Sequence, residues 1–435
     1  MCRGEVQQIH HQHSHSHAHQ MPPPPPSAAG NSPNSAGADV RKRALQANED
    51  SSCSNLGFYR QELASFQPLP GGRFSEVKKI SDGIAGDVIR CRESSGETVA
   101  VKKVRNYELQ KVAGTETNER SVFFQLSKKK LPSHEDVSTE IGILIHLQQQ
   151  LDLPLFILRL QGIYVEGYGA TGFTWVVTED CDGGELFNAV QREGALATTR
   201  VQRYTWQLLQ AVRYLHGQGI AHRDISLENV LLKNDDIRLM DFGAAVRSHS
   251  ASGMAYRYFR GVGKEFYRAP ESWVPMATQI DVMTPANAHP DDIIQAVARQ
   301  SYLTQVRLPS NAVPGRCCRA DVVGYEATPV DVFSSGVTAF IMLFGNPLFS
   351  VANLTDQVFQ YIRENGLQSL LSSWGFPLPA PEAMELLNGM LAIDPTKRWS
   401  VNRCLGNSWF NDVRQDFVPT HAVPGPAFNF VSAGA

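Results

Sequence analysis

The chain has 435 residues, 42% of them hydrophobic and 19% charged, with a formal net charge of −3. This is ordinary globular composition, enough for roughly two to three domain-sized units, and the near-neutral charge gives no electrostatic case for nucleic acid or an acidic membrane. Its seven cysteines (Cys2, Cys53, Cys91, Cys181, Cys317, Cys318 and Cys404) lack a repeated spacing, which argues for a reducing compartment, cytoplasm or nucleus.

Residues 1–70 open with Met-Cys-Arg-Gly-Glu and continue through His10, His11, His13, His15, His17 and His19 to the run Pro22–Pro26. No apolar signal segment is expected there, and Cys2 in place of glycine excludes myristoylation. A stretch so poor in apolar side chains cannot offset its ordering entropy, so a disordered His/Pro-rich region is expected. No membrane span is expected either, the run around Val337–Phe344 being too short.

Short strands are predicted from Phe74: Phe74–Ile80, Asp87–Arg92 and Glu97–Val104, separated by Gly, Asp and Ser turns. Val137–Gln149 reads as a helix, with Ile141, Leu144, Ile145 and Gln148 at helical spacing. Strands Phe156–Glu166 and Phe173–Glu179 follow, then helix Thr199–Gly217 with the stripe Val201, Leu208, Val212 and Leu215. Strands ahead of helices imply an α+β arrangement. Asn106–Pro132 and Trp273–Glu326 fit neither pattern and are expected to be insertions, partly ordered at best.

Several short motifs carry chemistry. Ile80-Ser-Asp-Gly83-Ile-Ala-Gly86-Asp-Val88 is a glycine-bearing turn through which a backbone can approach phosphate oxygens. In Val99-Ala100-Val101-Lys102, period two puts a small residue and a cation on one strand face. His222-Arg223-Asp224 is followed at a five-residue interval by Asn229, and seventeen residues after Asp224 comes Asp241-Phe242-Gly243. Downstream stand Ala269-Pro270-Glu271, Asp331-Val-Phe-Ser-Ser-Gly336 and Asp394-Pro-Thr-Lys-Arg398.

This order of motifs resembles the eukaryotic protein kinase family over roughly Phe74 to Asn411, as a divergent serine/threonine-type kinase. The resemblance implies a two-lobed fold: a small antiparallel-sheet lobe with one helix (71–182) and a larger, mainly helical lobe (183–412), followed by a tail at 413–435. It implies ATP and Mg²⁺ as cofactors and phosphoryl transfer to a protein hydroxyl, with protein substrates as partners and no nucleic acid or membrane. Asp224 would be the catalytic base, and Asn229 and Asp241 the metal ligands. Lys102, held by Glu140, would reach the phosphates. Gly83, Gly86, Val88, Ala100, Glu179, Cys181, Glu185 and Leu231 would complete the nucleotide site, Thr178 standing at its back. Asp331 would hold the catalytic loop, and Arg398 would pair with Glu271.

Two positions depart from the family pattern. Ser226 stands where a lysine usually touches the γ-phosphate, and Lys264 stands in the activation segment where a threonine usually contacts that lysine. An exchange of the cation between neighbouring positions makes Lys264 a catalytic candidate; loss of activity, with Lys264 a plain surface lysine, is the other reading. The rival functions are a pseudokinase scaffold that binds partners without catalysis and a small-molecule phosphotransferase. Phosphorylation by an upstream activating kinase is expected among Ser248, Ser250, Ser252, Tyr256 and Tyr258, with Arg223 receiving the phosphate.

Overall fold

The computed structural model describes residues 66–82, 86–107, 109, 137–167, 169–250 and 252–416. The expectations for residues 1–65, for Gly83 and for most of Asn106–Pro132 lie outside them, as does most of the tail, whereas residues 66–70, expected to be disordered, are ordered enough that Gln67–Pro68 pairs in a strand with Tyr164–Val165.

Among the described residues, the first lobe is built on a six-stranded sheet with a helix packed against it. Strands β1 (Gln67–Pro68), β2 (Phe74–Asp82), β3 (Gly86–Glu93), β4 (Thr98–Arg105), β5 (Leu160–Glu166) and β6 (Phe173–Glu179) lie in the order β1-β5-β6-β4-β3-β2. All neighbours are antiparallel except β1 and β5. Alternation assigns the two faces: Ile89, Cys91, Val99, Val101 and Val177 form one buried cluster. On the other face Val88, Lys102 and Val176 are in register, as are Arg90, Ala100 and Thr178. Helix α1 (Val137–Gln148) packs against β5 and buries Ile141, Leu144 and Ile145.

Strand β5 is shorter than its sequence suggests, for a local reason. The N–H of Leu239 bonds the Phe156 carbonyl at 2.8 Å, and the Leu158 N–H bonds the Leu239 carbonyl at 3.0 Å. The segment ahead of β5 is thus taken up in tying the two lobes together. Asn106, expected to open an insertion, is instead part of the sheet's packing. It is 1% exposed, accepts from Thr174 Oγ1 at 2.8 Å and donates to the Gly169 carbonyl at 3.1 Å.

The second lobe is helical. Its short strands are β7 (Gly184–Glu185), β8 (Ile220–Ala221), β9 (Val230–Lys233), β10 (Asp236–Leu239) and β11 (Val246–Arg247). Strands β10-β9-β7 form one small sheet and β11-β8 another. The helices are α2 (Leu186–Glu193), α3 (Thr198–Gly217), α4 (Ala327–Phe344), α5 (Gln357–Asn365), α6 (Leu367–Ser373), α7 (Pro381–Met390), α8 (Val401–Leu405) and α9 (Asn411–Asp416). The stripe Val201, Leu208, Val212 and Leu215 on α3 is buried, and α3 packs on α4. Helix α4 corrects the estimate of apolar length: its 18 residues have a mean hydropathy of 1.5, enough by composition to cross a bilayer. It is the core helix of this lobe, with 83% of its residues buried in the fold.

The largest correction concerns Trp273–Glu326. Rather than being partly ordered, it holds a four-stranded antiparallel sheet: β12 (Gln279–Met283), β13 (Ile293–Ala298), β14 (Tyr302–Arg307) and β15 (Cys317–Val322), in the order β12-β15-β14-β13. The prolines that suggested irregular chain (Pro275, Pro285, Pro290, Pro309 and Pro314) all lie outside the strands, where a missing N–H costs nothing in the ladder. The sheet has its own small core, including Val282, Val306, Leu308 and Val322.

Glu271 and Arg398 meet as a bidentate pair, Nη1 to Oε1 at 2.5 Å and Nη2 to Oε2 at 2.9 Å, both side chains fully buried. Arg398 also donates to the Pro329 and Ala392 carbonyls and stacks on the Phe333 ring. A lysine could keep the charge but not this fork of donors. Arg398→Lys is therefore expected to lower stability by about 1.5–3 kcal/mol, the range for lost hydrogen bonds to charged groups. Thermal denaturation should show the shift, with ATP affinity unchanged; a melting curve equal to that of the parent would contradict this role.

Candidate active site

Three structural elements carry the site residues expected from the sequence. The first is the open face of the large sheet. Val99 and Val101 are fully buried, so Ala100 and Lys102 face the other way and stay half-exposed, with Val88 beside Lys102. Lys102 Nζ lies 2.6 Å from Glu140 Oε2 on α1, so the ion pair expected across 38 residues of sequence is formed. Thr178 is in register with Ala100, its hydroxyl 3.4 Å from the Ala100 carbonyl.

The second element is the link between the lobes. The carboxylate of Glu179 is 5% exposed, and it accepts from the Arg159 N–H at 3.0 Å, Lys233 Nζ at 2.9 Å and Arg238 Nε at 3.3 Å. Next to it, Asp180 pairs with Arg90 of β3 at 2.9 Å, a brace between sheet and link that the sequence did not announce. Glu185 is in register with Leu231, which stays half-exposed between buried Val230 and Leu232. Cys181 is buried, and desolvation, with the negative charge of Glu179 second, pushes its thiol up to about 12. At pH 8 such a thiol is thiolate only about once in 10⁴, so it should resist alkylation. Peptide mapping after iodoacetamide treatment should find the exposed Cys317 modified in the native protein and Cys181 only after unfolding; native labelling of Cys181 would overturn this.

The third element is the loop after β8. Asp331, 0% exposed on α4, accepts from the main-chain N–H groups of His222 and Arg223 at 2.8 and 2.7 Å. His216 Nε2 lies 2.8 Å from the same carboxylate. This fixes the backbone immediately ahead of Asp224. Asp224 Oδ2 accepts from Asn229 Nδ2 at 2.9 Å, and Oδ1 accepts from the Lys264 N–H at 3.1 Å. The Lys264 ammonium donates to Ser226 Oγ at 2.9 Å and Asn229 Oδ1 at 3.2 Å, and lies 3.6 Å from Asp224 Oδ2. The sequence positions 226 and 264, expected to be neighbours, therefore touch. Asp241, 17 residues along from Asp224, accepts from the Gly243 N–H at 3.2 Å.

Arg223 and Asp241 both adopt φ of 64°, a left-handed conformation that costs a non-glycine residue about 1–3 kcal/mol and collects where geometry is over-determined. Gly263 was missed by motif reading although it decides the approach of Lys264. It has φ of 83°, and a Cβ there would lie 2.6 Å from the Arg223 carbonyl and 3.1 Å from Asp224 Oδ1. Only glycine lets the activation segment come this close. Gly86 is described at the start of β3, whereas Gly83 is not described.

Among the described residues, no group of three or more His, Cys, Asp or Glu forms a metal cluster. The metal ligands expected from the sequence, Asn229 and Asp241, would supply one amide oxygen and one carboxylate, few protein ligands of hard oxygen character. That donor set suits Mg²⁺, whose other ligands are commonly phosphate oxygens and water.

The Protein kinase domain family matches residues 74–283 and 321–410. CBL-interacting protein kinase 11 of Oryza sativa subsp. japonica is 25% identical over 346 residues, 78% of this chain and 51% of the relative. Serine/threonine-protein kinase chk1 of Schizosaccharomyces pombe is 26% identical over 236 residues, 54% of this chain and 37% of the relative. Calcium-dependent protein kinase 29 of Arabidopsis thaliana is 28% identical over 304 residues, 68% and 45% respectively. The chain thus spans about half or less of the length of these curated relatives. The family match skips 284–320, most of the added sheet, and resumes ahead of α4. With this match over more than half of its length, on an antiparallel-sheet lobe followed by a helical one, the chain belongs to the protein kinase family.

Proposed function

We propose that the chain transfers the γ-phosphate of ATP to serine or threonine hydroxyls of protein substrates. The observation that carries this reading is the setting of Asp224. Both its carboxylate oxygens are fixed by donors, from Asn229 and the Lys264 main chain, and a cation stands 3.6 Å away. A carboxylate so oriented can take the proton of an incoming hydroxyl, while nearby cations stabilise charge on the transferring group.

The other residues fall into supporting roles. Lys102, steadied by Glu140, would meet the nucleotide's phosphates, and Lys264 would meet the γ-phosphate in place of a lysine at Ser226. Val88, Ala100 and Leu231 would enclose the base, with Gly86 beside the phosphates and Glu185 near the ribose. Because the Glu179 carboxylate is committed to Arg159, Lys233 and Arg238, Glu179 and Cys181 would serve through their main chains. Mg²⁺ held by Asn229 and Asp241 would neutralise phosphate charge; the Asn229 oxygen meanwhile accepts from Lys264.

Incubating the purified chain with Mg²⁺ and radiolabelled ATP on a degenerate Ser/Thr/Tyr peptide library tests the reading. Label on serine and threonine is expected. Nucleotide binding with no transfer to peptide or to the chain itself would leave the pseudokinase scaffold. Transfer confined to tyrosine or to small molecules would redirect the substrate class.

A further inference from the structure

The guanidinium of Arg223, next to Asp224, is held from several sides. It is 7% exposed, and its Nε donates to the Ala244 carbonyl at 2.9 Å. Nη1 donates to the Tyr325 hydroxyl at 3.2 Å, and the Tyr258 ring stands over the guanidinium carbon at 4.8 Å. The Tyr325 hydroxyl in turn donates to the Arg260 carbonyl at 2.6 Å. One phenol therefore joins the residue next to Asp224 to the activation segment. Both tyrosines are 1% exposed, and Ser248 and Tyr256 are buried too.

Tyr325 lies three residues beyond the end of β15, and the intervening Val323 N–H bonds the Gln305 carbonyl of β14 at 3.1 Å, which ties its position to the added sheet. Its N–H and carbonyl pair with those of Tyr258, at 2.9 and 2.8 Å. Gly324 makes that approach possible: it has φ of 69°, and a Cβ there would lie 2.4 Å from the Tyr258 carbonyl oxygen. Beside this bridge Arg257 donates to Gln305 of β14 at 3.0 Å and to Glu326 at 2.6 Å, while Phe259 packs on the sheet's core. At the far end of the segment Arg268 lies over the Trp273 ring, which stacks on Tyr302 of β14.

We propose that the added sheet is a built-in clamp: through Tyr325 and Tyr258 it holds Arg223, and with it Asp224 and the activation segment, in working position without a phosphate. Tyr325 is then a positioning residue of the phosphoryl transfer, a role that rests on the kinase reading above. The place that an activating phosphate would take beside Arg223 is filled by a phenol ring and a hydroxyl. Desolvated hydrogen bonds to a buried cation are strong, and the aromatic face adds cation–π attraction.

The test uses the full chain after phosphatase treatment, with intact mass confirming that no phosphate remains. Hydrogen exchange is followed in peptides covering 246–258 and 220–226, alongside kcat, KM for ATP and thermal denaturation. The clamp requires protection in both peptides and turnover within about twofold of the untreated protein. Tyr325→Phe keeps the ring and removes the hydroxyl; it should cost about tenfold in protection there and about tenfold in kcat, with KM for ATP unchanged and Tm lowered by only a few degrees. Tyr258→Leu, which removes the ring over the guanidinium, should act on the same peptides. Free exchange at 246–258 in the phosphate-free parent would overturn the proposal. So would a Tyr325→Phe variant equal to the parent, or one whose only effect is a lower Tm with protection lost throughout α4. Local protection that responds to Tyr325→Phe in a protein with no turnover would uphold the clamp and sink the kinase reading instead.

Discussion

Asp224→Ala is expected to lower kcat by about 10²–10⁴-fold, the range for losing a general base, while ATP affinity stays within about threefold of the parent. The separation of the two effects follows from the geometry. Lys102 and Glu140 bind each other on the opposite lobe, whereas the Asp224 carboxylate is held by Asn229 and the Lys264 main chain. Alanine is the cleaner substitution. Both Asp224 oxygens face N–H donors, so an asparagine would have to turn its own NH₂ toward either Asn229 or the Lys264 main chain. That donor-against-donor contact would disturb the loop as well as the chemistry. Measuring kcat at saturating peptide together with ATP binding by calorimetry decides the matter: near-parental turnover would remove Asp224 from the catalytic role, and a parallel collapse of ATP affinity would make it a structural residue.

Local motifs were legible in the sequence because their spacing is set by single loops. Asp224 and Asn229, five residues apart, are hydrogen-bonded in the structure, and Asp331 meets the loop it was expected to hold. The alternation of Val99 and Val101 with Ala100 and Lys102 needed only the strand period. The added sheet was not legible. Its strands have five or six residues, mixed in polarity, and the prolines between them resemble irregular chain. Nor was the commitment of Arg223 legible, because Tyr258 and Tyr325 reach it from segments 67 residues apart that pair only once the sheet has folded. Braces such as Arg90 with Asp180 are likewise products of tertiary placement; each residue alone reads as an ordinary surface charge.

Lys264→Ala should lower kcat by about 10²-fold or somewhat more, as expected when one preorganised cation is withdrawn from a developing phosphate charge. The Lys264 ammonium already sits 2.9 Å from Ser226 Oγ, so the two side chains share one space and cannot be altered independently. Ser226 is 0% exposed. A lysine placed there beside Lys264 would be overpacked, with two ammonium groups in contact, so Ser226→Lys alone should also lose activity. Lys264→Thr alone leaves no cation at the site. Combining the two vacates the space that the new lysine needs, and turnover should recover most of the way to the parent. The coupling energy of this double-mutant cycle should fall within about 0.5–3 kcal/mol, the usual range for contacting residues. Steady-state kcat for the parent, both single variants and the double variant supplies the four corners. Additive effects, with the double variant as impaired as the sum of the singles, would mean that the cation has not changed places and that Lys102 and metal alone neutralise the phosphate.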